Sequence, residues 1–508
     1  MLELFAFVLY FVVIIGIGIV FFLKTRSGGE KDYFLGGRSM GPWVTAMSAQ
    51  ASDMSGWLLM GLPGSILAFG LGQVWIGIGL AIGTTLNWIL VASRLRRFSK
   101  VANDSITLPQ YLANRFAATN PALQIICAVI FLIFFTIYVA SGFVAGATVF
   151  TSVIPSLAGK EGVAMIIFAA IIIVYTFLGG YKAVCWTDFF QGLMMLVALL
   201  AVPIIMIASG NFDKSLADVP VTSASGAEYA FTGNLFTASW QDIVSGLAWG
   251  LGYFGMPHIL VRFMGIKKAS LVKKSASFAI IWVFLTLGAS ALLAVLARYY
   301  VLADGTSFGQ KLLEMDAQKT VFIELSHLLF PAFITGLLLS AIIAAAMSTA
   351  DSQLLVASSS FTSDIYKPVF RKNASDKETL WVGRIVVLIV AIVAYIIASS
   401  KGKGAQAIME MVDNAWGGFG AAFGPVILFS LFWKRFTYRG AICGVVGGAV
   451  VDIIWLLFLS GPTGVYELLP GFVAGVIFCL VGSLLDKKPS EEVCAIYEKA
   501  TAPEAEDE

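Results

Sequence analysis

The sequence predicts an all-α polytopic membrane protein of about 13 transmembrane helices. Three observations predict this class. Apolar residues make up 58% of the 508 positions and charged residues only 13%, about half of the charged share of a soluble protein. Apolar runs of about 20 residues, long enough to span a bilayer as a helix, recur along the whole chain. Most of the 33 Lys and Arg residues lie in alternate loops, which is the bias typical of cytoplasmic loops.

The predicted helices follow from the apolar runs, each bounded by charges or turn residues. They lie roughly at 3–23, 44–70, 72–93, 123–154, 163–181, 187–209, 238–259, 277–301, 329–361, 380–399, 407–433, 439–460 and 466–485. The first run has no basic segment before it and no small-residue cleavage site, so we expect a retained helix and not a signal peptide. We expect a polar external loop at 210–237 and a disordered acidic tail after Lys488.

The charge bias also predicts the orientation. If the N-terminus is outside, the outside loops carry only Lys160, Lys214, Arg298, Lys311, Lys319, Lys401 and Lys403. An error of one helix in the middle would place the later basic loops outside and destroy the bias. We therefore expect a multi-pass protein of the cytoplasmic (inner) membrane, with its N-terminus outside and its C-terminus in the cytoplasm.

The composition excludes several kinds of chemistry. A net charge of +2 gives no reason to expect a nucleic-acid partner. The five cysteines lack CxxC spacing and the only histidines are His258 and His327, so neither a disulfide framework, a zinc cluster nor a bis-histidine haem is expected. No GxxxxGK[ST] motif suggests nucleotide use. We expect no enzyme, no cofactor and no obligate protein partner.

The second apolar run is predicted to be a broken helix. Asp53 lies near its middle, flanked by Ser52, Ser55 and Gly56. A carboxylate at that depth costs a few kcal/mol unless it is paired or hydrated, so by default it marks a functional site. The alternative is that Asp53 only caps a second half-helix by accepting backbone N–H groups.

The seventh run is predicted to be broken as well, because it carries Gly246, Gly250, Gly252, Gly255 and Pro257 within about three turns. A kinked packing helix is the alternative. Runs two and seven would each begin a five-helix unit, and an odd number of helices inverts the second unit relative to the first. Paired interrupted helices at corresponding places in inverted halves indicate the midplane site of a transporter.

This organisation divides the chain into five parts. They are a leading helix and cytoplasmic loop at 1–43, a first five-helix repeat at 44–209, a second, inverted repeat at 238–433, two trailing helices at 434–485 and a cytoplasmic acidic tail at 486–508.

Hydroxyls in the ninth run, and aromatic side chains that lie beside the breaks or in mid-helix, are candidate ligands. Ser348 and Thr349 in the ninth run follow Ala345 by one turn, and hydroxyls and carbonyls suit an alkali cation; alternatively, each hydroxyl only bonds the carbonyl one turn back. Trp57, Tyr138, Trp249 and Tyr253 could wall a pocket for a small organic solute, although Trp and Tyr are also typical of the membrane interface. For Asp188 and Asp413, near the two faces, we expect plain interfacial hydration.

Several segments closely resemble the sodium/solute symporter family and, within it, the bacterial sodium/proline symporters. They include DYFLGGRSMGPWVTAMSAQASDMSGWLLMGLPG, FFTIYVASGFVAGA, GLGYFGMPHILVRFM and LLLSAIIAAAMSTADSQLLVASS, and the match runs in order from about residue 30 to 480. The resemblance implies a LeuT-type five-plus-five inverted-repeat fold with broken helices. It also implies uptake of L-proline together with a sodium ion by alternating access, without covalent chemistry.

The resemblance also implies roles for individual residues. The carbonyls of Ala51, Met54 and Ala345 and the hydroxyls of Ser348 and Thr349 would bind sodium. Asp53, Asp188 and Arg38 would serve ion coupling. The pocket for proline would involve Trp57, Tyr138, Trp249, Tyr253, Pro257 and Ser352, and the last of these stands where a proline carrier of the family has cysteine.

Other functions stay open at this point. Another small carboxylate-bearing solute, or coupling to lithium or a proton, would fit the same architecture, and so would a transporter that signals through its tail. A channel is disfavoured because two broken helices make one occluded site, and an intramembrane enzyme is disfavoured because no His/Ser/Asp arrangement occurs.

Overall fold

The computed structural model describes residues 1–25, 29–216, 219–400 and 405–502. Arg26, Lys401 and Lys403, which enter the charge bias, and tail residues 503–508 lie outside the described residues.

The described chain is almost entirely helical, with one small antiparallel hairpin, β1 (Val221–Thr222) and β2 (Glu228–Tyr229). The first helices are α1 Leu2–Thr25, α2 Glu30–Leu35, α3 Pro42–Asp53, α4 Gly61–Phe69, α5 Val74–Leu86, α6 Ser93–Val101, α7 Leu108–Arg115, α8 Ala122–Val153, α9 Glu161–Ser209, α10 Trp240–Ala248 and α11 Pro257–Gly265. They are followed by α12 Val272–Tyr299, α13 Phe308–Glu314, α14 Val321–Leu329, α15 Ala332–Ser360, α16 Asp376–Ser400, α17 Ala405–Phe432, α18 Tyr438–Ile454, α19 Ser460–Thr463, α20 Leu468–Leu484 and α21 Glu491–Thr501.

Within the described residues, nine helices are long and apolar enough to cross a bilayer, and the pair formed by residues 240–254 and 257–265 makes a tenth if it is one span. Three shorter apolar helices lie at Gly56–Phe69, Glu161–Phe177 and Leu468–Leu484. The predicted number of thirteen spans stays a prediction.

Both predicted breaks are present. The second segment stops at Asp53, continues as a short 3-10 turn at Gly56–Leu58 and resumes as α4. The seventh segment passes from α10 through a 3-10 stretch at Trp249–Phe254 and bends by 42° before α11, which Pro257 begins. Proline suits that first helical position because its missing N–H would have no helical partner there.

Helix α15 lies at the centre of the bundle. It packs against α1, α8, α9 and α3, and from Leu338 to Ser360 every residue is buried. A helix that is buried all round must satisfy its hydroxyls within the protein, which places Ser348 and Thr349 in the interior and away from lipid.

The structure corrects three predictions, two about helix boundaries and one about the tail. Segments five and six form the continuous run α9, which turns at Gly180, where φ is 60° and ψ is 178°. Asp188 therefore lies two turns inside the sixth segment. The seventh segment extends to Gly265 and takes in Arg262, which the predicted helix end at 259 had left in the following loop.

The third correction concerns the tail, for which disorder was predicted. Residues Glu491–Thr501 form α21, capped by the Ser490 hydroxyl, with acidic residues in its first turn. Its Tyr497 ring packs edge-on against Phe98 of α6 at 5.5 Å. Burial of Val493 and Ala500 shows that this short helix is amphipathic and docked, a pattern that the tail's net charge concealed.

Candidate functional site

The break after Asp53 frees two main-chain carbonyls. In a continuous helix the N–H of Ser55 would bond Ala51, but it bonds the carbonyl of Asp53 at 3.0 Å. The N–H of Leu58 bonds Ser55 at 3.1 Å and so leaves the carbonyl of Met54 without its helical partner. Oxygens released in this way are the ligands that an alkali cation prefers.

The hydroxyl pair of α15 meets this break. Ser348 donates to the Ala51 carbonyl at 2.8 Å and lies 3.2 Å from the Ala345 carbonyl, to which Thr349 donates at 3.0 Å. Both hydroxyls therefore bond a carbonyl about one turn back, as the alternative interpretation predicted. Ser348 also donates to the broken second segment, 297 positions away in the sequence. The structure thus brings Ala51, Ala345, Ser348 and Thr349 into one buried cluster of oxygens.

Asp53 connects the two breaks. Its carboxylate is buried and accepts a hydrogen bond from the hydroxyl of Tyr253, in the 3-10 stretch of the seventh segment. Beside this contact, His258 Nε2 lies 3.0 Å from the Ser52 carbonyl. In the described part of the chain no backbone N–H donates to the Asp53 carboxylate, so the helix-capping alternative does not describe its contacts.

The four predicted aromatic side chains are buried and lie around the same breaks. The Trp57 and Trp249 ring centroids are 6.2 Å apart, and the Tyr138 hydroxyl lies 3.5 Å from the Asp53 carbonyl. Tyr253 packs edge-on against Trp416 at 5.1 Å. Trp416 also donates its indole N–H to the Trp249 carbonyl at 2.8 Å, so this tryptophan completes the aromatic cluster.

A cavity of about 260 Å³ reaches this cluster. Its lining includes Gly61, Gly64, Gln318 and Asp413, together with Trp249 of the aromatic cluster. Asp413 is half-buried and lines this cavity, but its Oδ1 atom is buried and has no hydrogen-bond partner among the described residues, so plain interfacial hydration does not describe it.

The prediction of plain interfacial hydration for Asp188 is wrong. Its carboxylate is fully buried, accepts from the Ser48 hydroxyl at 2.6 Å and pairs with Arg262 at 3.2 Å. Arg262 also donates to Ser352, whose hydroxyl lies 3.3 Å from Asp351 Oδ1. Ser352, which the resemblance assigns to the proline pocket, thus contacts the ion pair between the sixth and seventh segments and links that pair to the ninth segment.

Arg38 lies at the basic face, and not beside Asp188. Its guanidinium binds Asp104 at 2.8 Å, the Ser99 hydroxyl at 3.1 Å and the Ser105 carbonyl at 2.8 Å. Partial burial alone would raise the pKa of Asp104, but hydrogen bonds and charge from Lys31 and Arg38 outweigh it and lower this pKa below its ordinary value. Arg38 therefore holds the loops at this end of the bundle together.

Arg262 and His258 were missed by the sequence analysis. The signal that could have found them is Pro257: a proline that begins a new helix predicts helical residues for the next two turns. Both side chains then lie four positions apart on one face of α11, and the Arg262 guanidinium donates to the His258 carbonyl at 3.0 Å.

Comparison with known proteins agrees with this arrangement. A family model described as "Sodium:solute symporter family" matches residues 33–448. The sodium/proline symporter of Escherichia coli is 44% identical over 497 residues, covering 97% of this chain and 96% of that protein. That of Haemophilus influenzae is 42% identical over 502 residues, covering 98% and 97%. The high-affinity proline transporter PutP of Bacillus subtilis is 43% identical over 476 residues, covering 93% and 96%.

A solved structure shares the fold. The substrate-bound, outward-open state of a Na+-coupled sialic acid symporter superposes with a TM-score of 0.71 at 19% identity, covering 97% of this chain and 99% of that one. The predicted all-α, LeuT-type architecture with broken helices is thereby confirmed. With the family model spanning most of the sequence and relatives matching nearly all of it, the chain belongs to the sodium:solute symporter family.

Proposed function

We propose that this protein takes up L-proline together with sodium by alternating access, as a symporter of the bacterial inner membrane with its N-terminus outside and its C-terminus in the cytoplasm. One observation supports the proposed coupling to sodium. The Ser348 hydroxyl donates to the carbonyl of Ala51 that the break has released. This buried junction between the second and ninth segments supplies oxygens from both, so a bound sodium ion would hold the two segments together.

Sodium would replace the hydrogen bonds that now join these groups. Its ligands would be the carbonyls of Ala51, Met54 and Ala345 and the hydroxyls of Ser348 and Thr349. Neutral oxygens bind the ion without the strong trapping that several carboxylates would cause. Asp53 adds a negative charge two residues from Ala51 and favours the cation electrostatically.

Proline would bind between the two breaks. Its carboxylate would meet the N–H groups that the break in segment two leaves without partners, and its ammonium would donate to carbonyls released in segment seven. Trp57, Tyr138, Trp249 and Tyr253 would surround the ring, a burial worth on the order of 2 kcal/mol. The proline relatives at 42% and 44% identity support this choice of solute.

The direct test is uptake of labelled solutes into proteoliposomes that contain the purified protein. An imposed sodium gradient is expected to drive uptake of proline, and a proton gradient alone is not. Proline and close ring analogues should compete, whereas lysine, glutamate and glucose should not. Absence of proline transport, with uptake of another solute, would place the chain in another branch of the family.

Loss of either α15 hydroxyl is expected to weaken sodium binding. Ser348→Ala or Thr349→Ala removes one oxygen from a small ligand shell, so the sodium concentration for half-maximal uptake should rise by about tenfold, which corresponds to ~1.4 kcal/mol. Thr349→Ser keeps the oxygen and should be milder. Ser340→Ala is the matched control, because Ser340 lies on the same helix and bonds only Gly336 one turn back. Equal effects of Ala and Ser at position 349 would indicate packing of the methyl group instead.

The aromatic cluster is expected to determine affinity for the solute more than affinity for the ion. Trp249→Ala should raise the proline concentration for half-maximal uptake by about tenfold or more, since a large apolar contact of a few kcal/mol is lost. Tyr253→Ala should act in the same direction. The corresponding sodium concentration should change less. A larger change for sodium than for proline in Trp249→Ala would argue against a solute contact.

A further inference from the structure

A second group of buried oxygens lies outside the proposed transport site. Asp452 in the last turn of α18 is fully buried, and Glu467 directly before α20 is 3% exposed. Among the described residues, neither oxygen of Asp452 has a hydrogen-bond partner. An ionised carboxylate without a partner in the interior of a membrane protein costs several kcal/mol, so these oxygens require an explanation.

The Asp452 carboxylate, the side chain of Glu467 and the hydroxyl of Tyr466 all lie around Gly417 of α17. A Cβ atom at Gly417 would lie 3.2 Å from Asp452 Oδ1, 3.4 Å from Glu467 Cγ and 3.4 Å from the Tyr466 hydroxyl. A glycine at this position therefore keeps open the space that the three polar groups face. Asp452 also packs against the first turn of α20, because a Cβ atom at Gly471 would lie 2.9 Å from its Cβ.

The polar hydrogens nearby already have acceptors. Tyr466 donates to the Asp413 carbonyl at 2.8 Å, and Trp416 donates to the Trp249 carbonyl at 2.8 Å. In the part of the chain that the structure describes, no Lys, Arg or His forms an ion pair with Asp452 or Glu467. The positive end of the α20 dipole faces Asp452 and favours its ionised form.

We propose that Asp452, Glu467 and Tyr466 form a binding site for a monovalent alkali cation. A single proton would give a hydrogen bond to one acceptor and leave the other Asp452 oxygen without a partner, whereas a cation of sodium's size contacts several oxygens at once. The site offers only two carboxylates, and among the described residues no group of three His, Cys, Asp or Glu side chains could hold a metal ion, so a monovalent cation fits it better than a divalent one.

This site contacts the aromatic cluster through Tyr466. The Tyr466 ring stacks on Trp249 with centroids 5.4 Å apart and planes at 24°. An ion held by the neighbouring Glu467 would therefore influence the position of the Trp249 ring, which lines the cavity. Its ligands share no residue with the cluster around Ser348 and Thr349, so the two sites can be tested separately.

The test is equilibrium binding of radioactive sodium to the purified full-length protein at pH 8, without proline and with choline as the balancing cation. We expect two sodium ions per wild-type chain, loss of one in Asp452→Asn, about tenfold weaker binding of the other in Thr349→Ala, and a single, weakened site in the double variant. The Thr349→Ala result tests the proposed transport site, and the Asp452→Asn result tests the second site.

Gly417→Ala covers the case in which Asp452→Asn does not fold. It keeps both carboxylates but fills the space between them, so it should also lose the second ion, while Gly461→Ala, with no atom within 4 Å of the new methyl group, should bind as wild type. Wild-type stoichiometry in a folded Asp452→Asn or Gly417→Ala protein would overturn the proposal. So would an infrared carboxylic-acid band that disappears in Asp452→Asn but persists in the wild type at saturating sodium, because Asp452 would then hold only a proton.

Discussion

Asp53→Asn is expected to abolish most sodium-driven uptake while the protein still inserts into the membrane. The substitution keeps the size of the side chain and an acceptor for the Tyr253 hydroxyl, but removes the charge beside the released carbonyls. A carboxylate about 5 Å from a monovalent cation contributes about 3 kcal/mol at an effective dielectric constant near 20. Sodium affinity should therefore fall by roughly a hundredfold, measured as the sodium dependence of proline uptake.

Two further variants separate the charge from the hydrogen bond. Tyr253→Phe removes the donor and leaves the Asp53 charge, so it should retain sodium coupling better than Asp53→Asn. Asp304→Asn neutralises an exposed loop carboxylate and should transport as wild type. Sodium dependence in Asp53→Asn equal to that of the wild type would show that the charge takes no part in coupling.

The breaks could be predicted because each has a local cause. A carboxylate in an apolar run and a cluster of glycines with a proline both disfavour a continuous helix, whatever surrounds them. In the sequence Trp57, Trp249 and Tyr253 lie beside those breaks and Tyr138 lies in the middle of the fourth segment, and the structure brings the four together. Tyr466 and Trp416 were missed because they belong to later segments, and their contacts with Trp249 arise only from packing.

The Asp188 and Arg262 ion pair could not be predicted because it joins positions 74 residues apart. Each residue alone resembles an interfacial charge near the end of an apolar run. The free-energy cost of burying these two charges is offset only when they pair with each other and Asp188 also accepts from the Ser48 hydroxyl. No local sequence pattern predicts such a long-range contact. The same reasoning explains why Arg262 was first counted among loop residues.

Gly83→Ala is expected to abolish uptake and to lower the melting temperature of the purified protein. A Cβ atom at Gly83 of α5 would lie 2.2 Å from the Gly250 carbonyl oxygen and 2.4 Å from its Cα. Both atoms belong to the backbone of the broken seventh segment, so a change of side-chain rotamer cannot relieve the clash. Overpacking of this kind costs about 1–3 kcal/mol or more.

Gly77→Ala is the matched control, because Gly77 lies on the same helix and no atom lies within 4 Å of the added methyl group. Both substitutions gain about 1 kcal/mol of helix propensity, so a difference between them reports the contact with Gly250. The displaced stretch carries Trp249 and Tyr253, and any Gly83→Ala protein that still folds should bind proline weakly. Wild-type uptake in Gly83→Ala would mean that the seventh segment can move away from α5 without a loss of transport. That result would contradict the proposal that a rigid break forms the binding site for the solute.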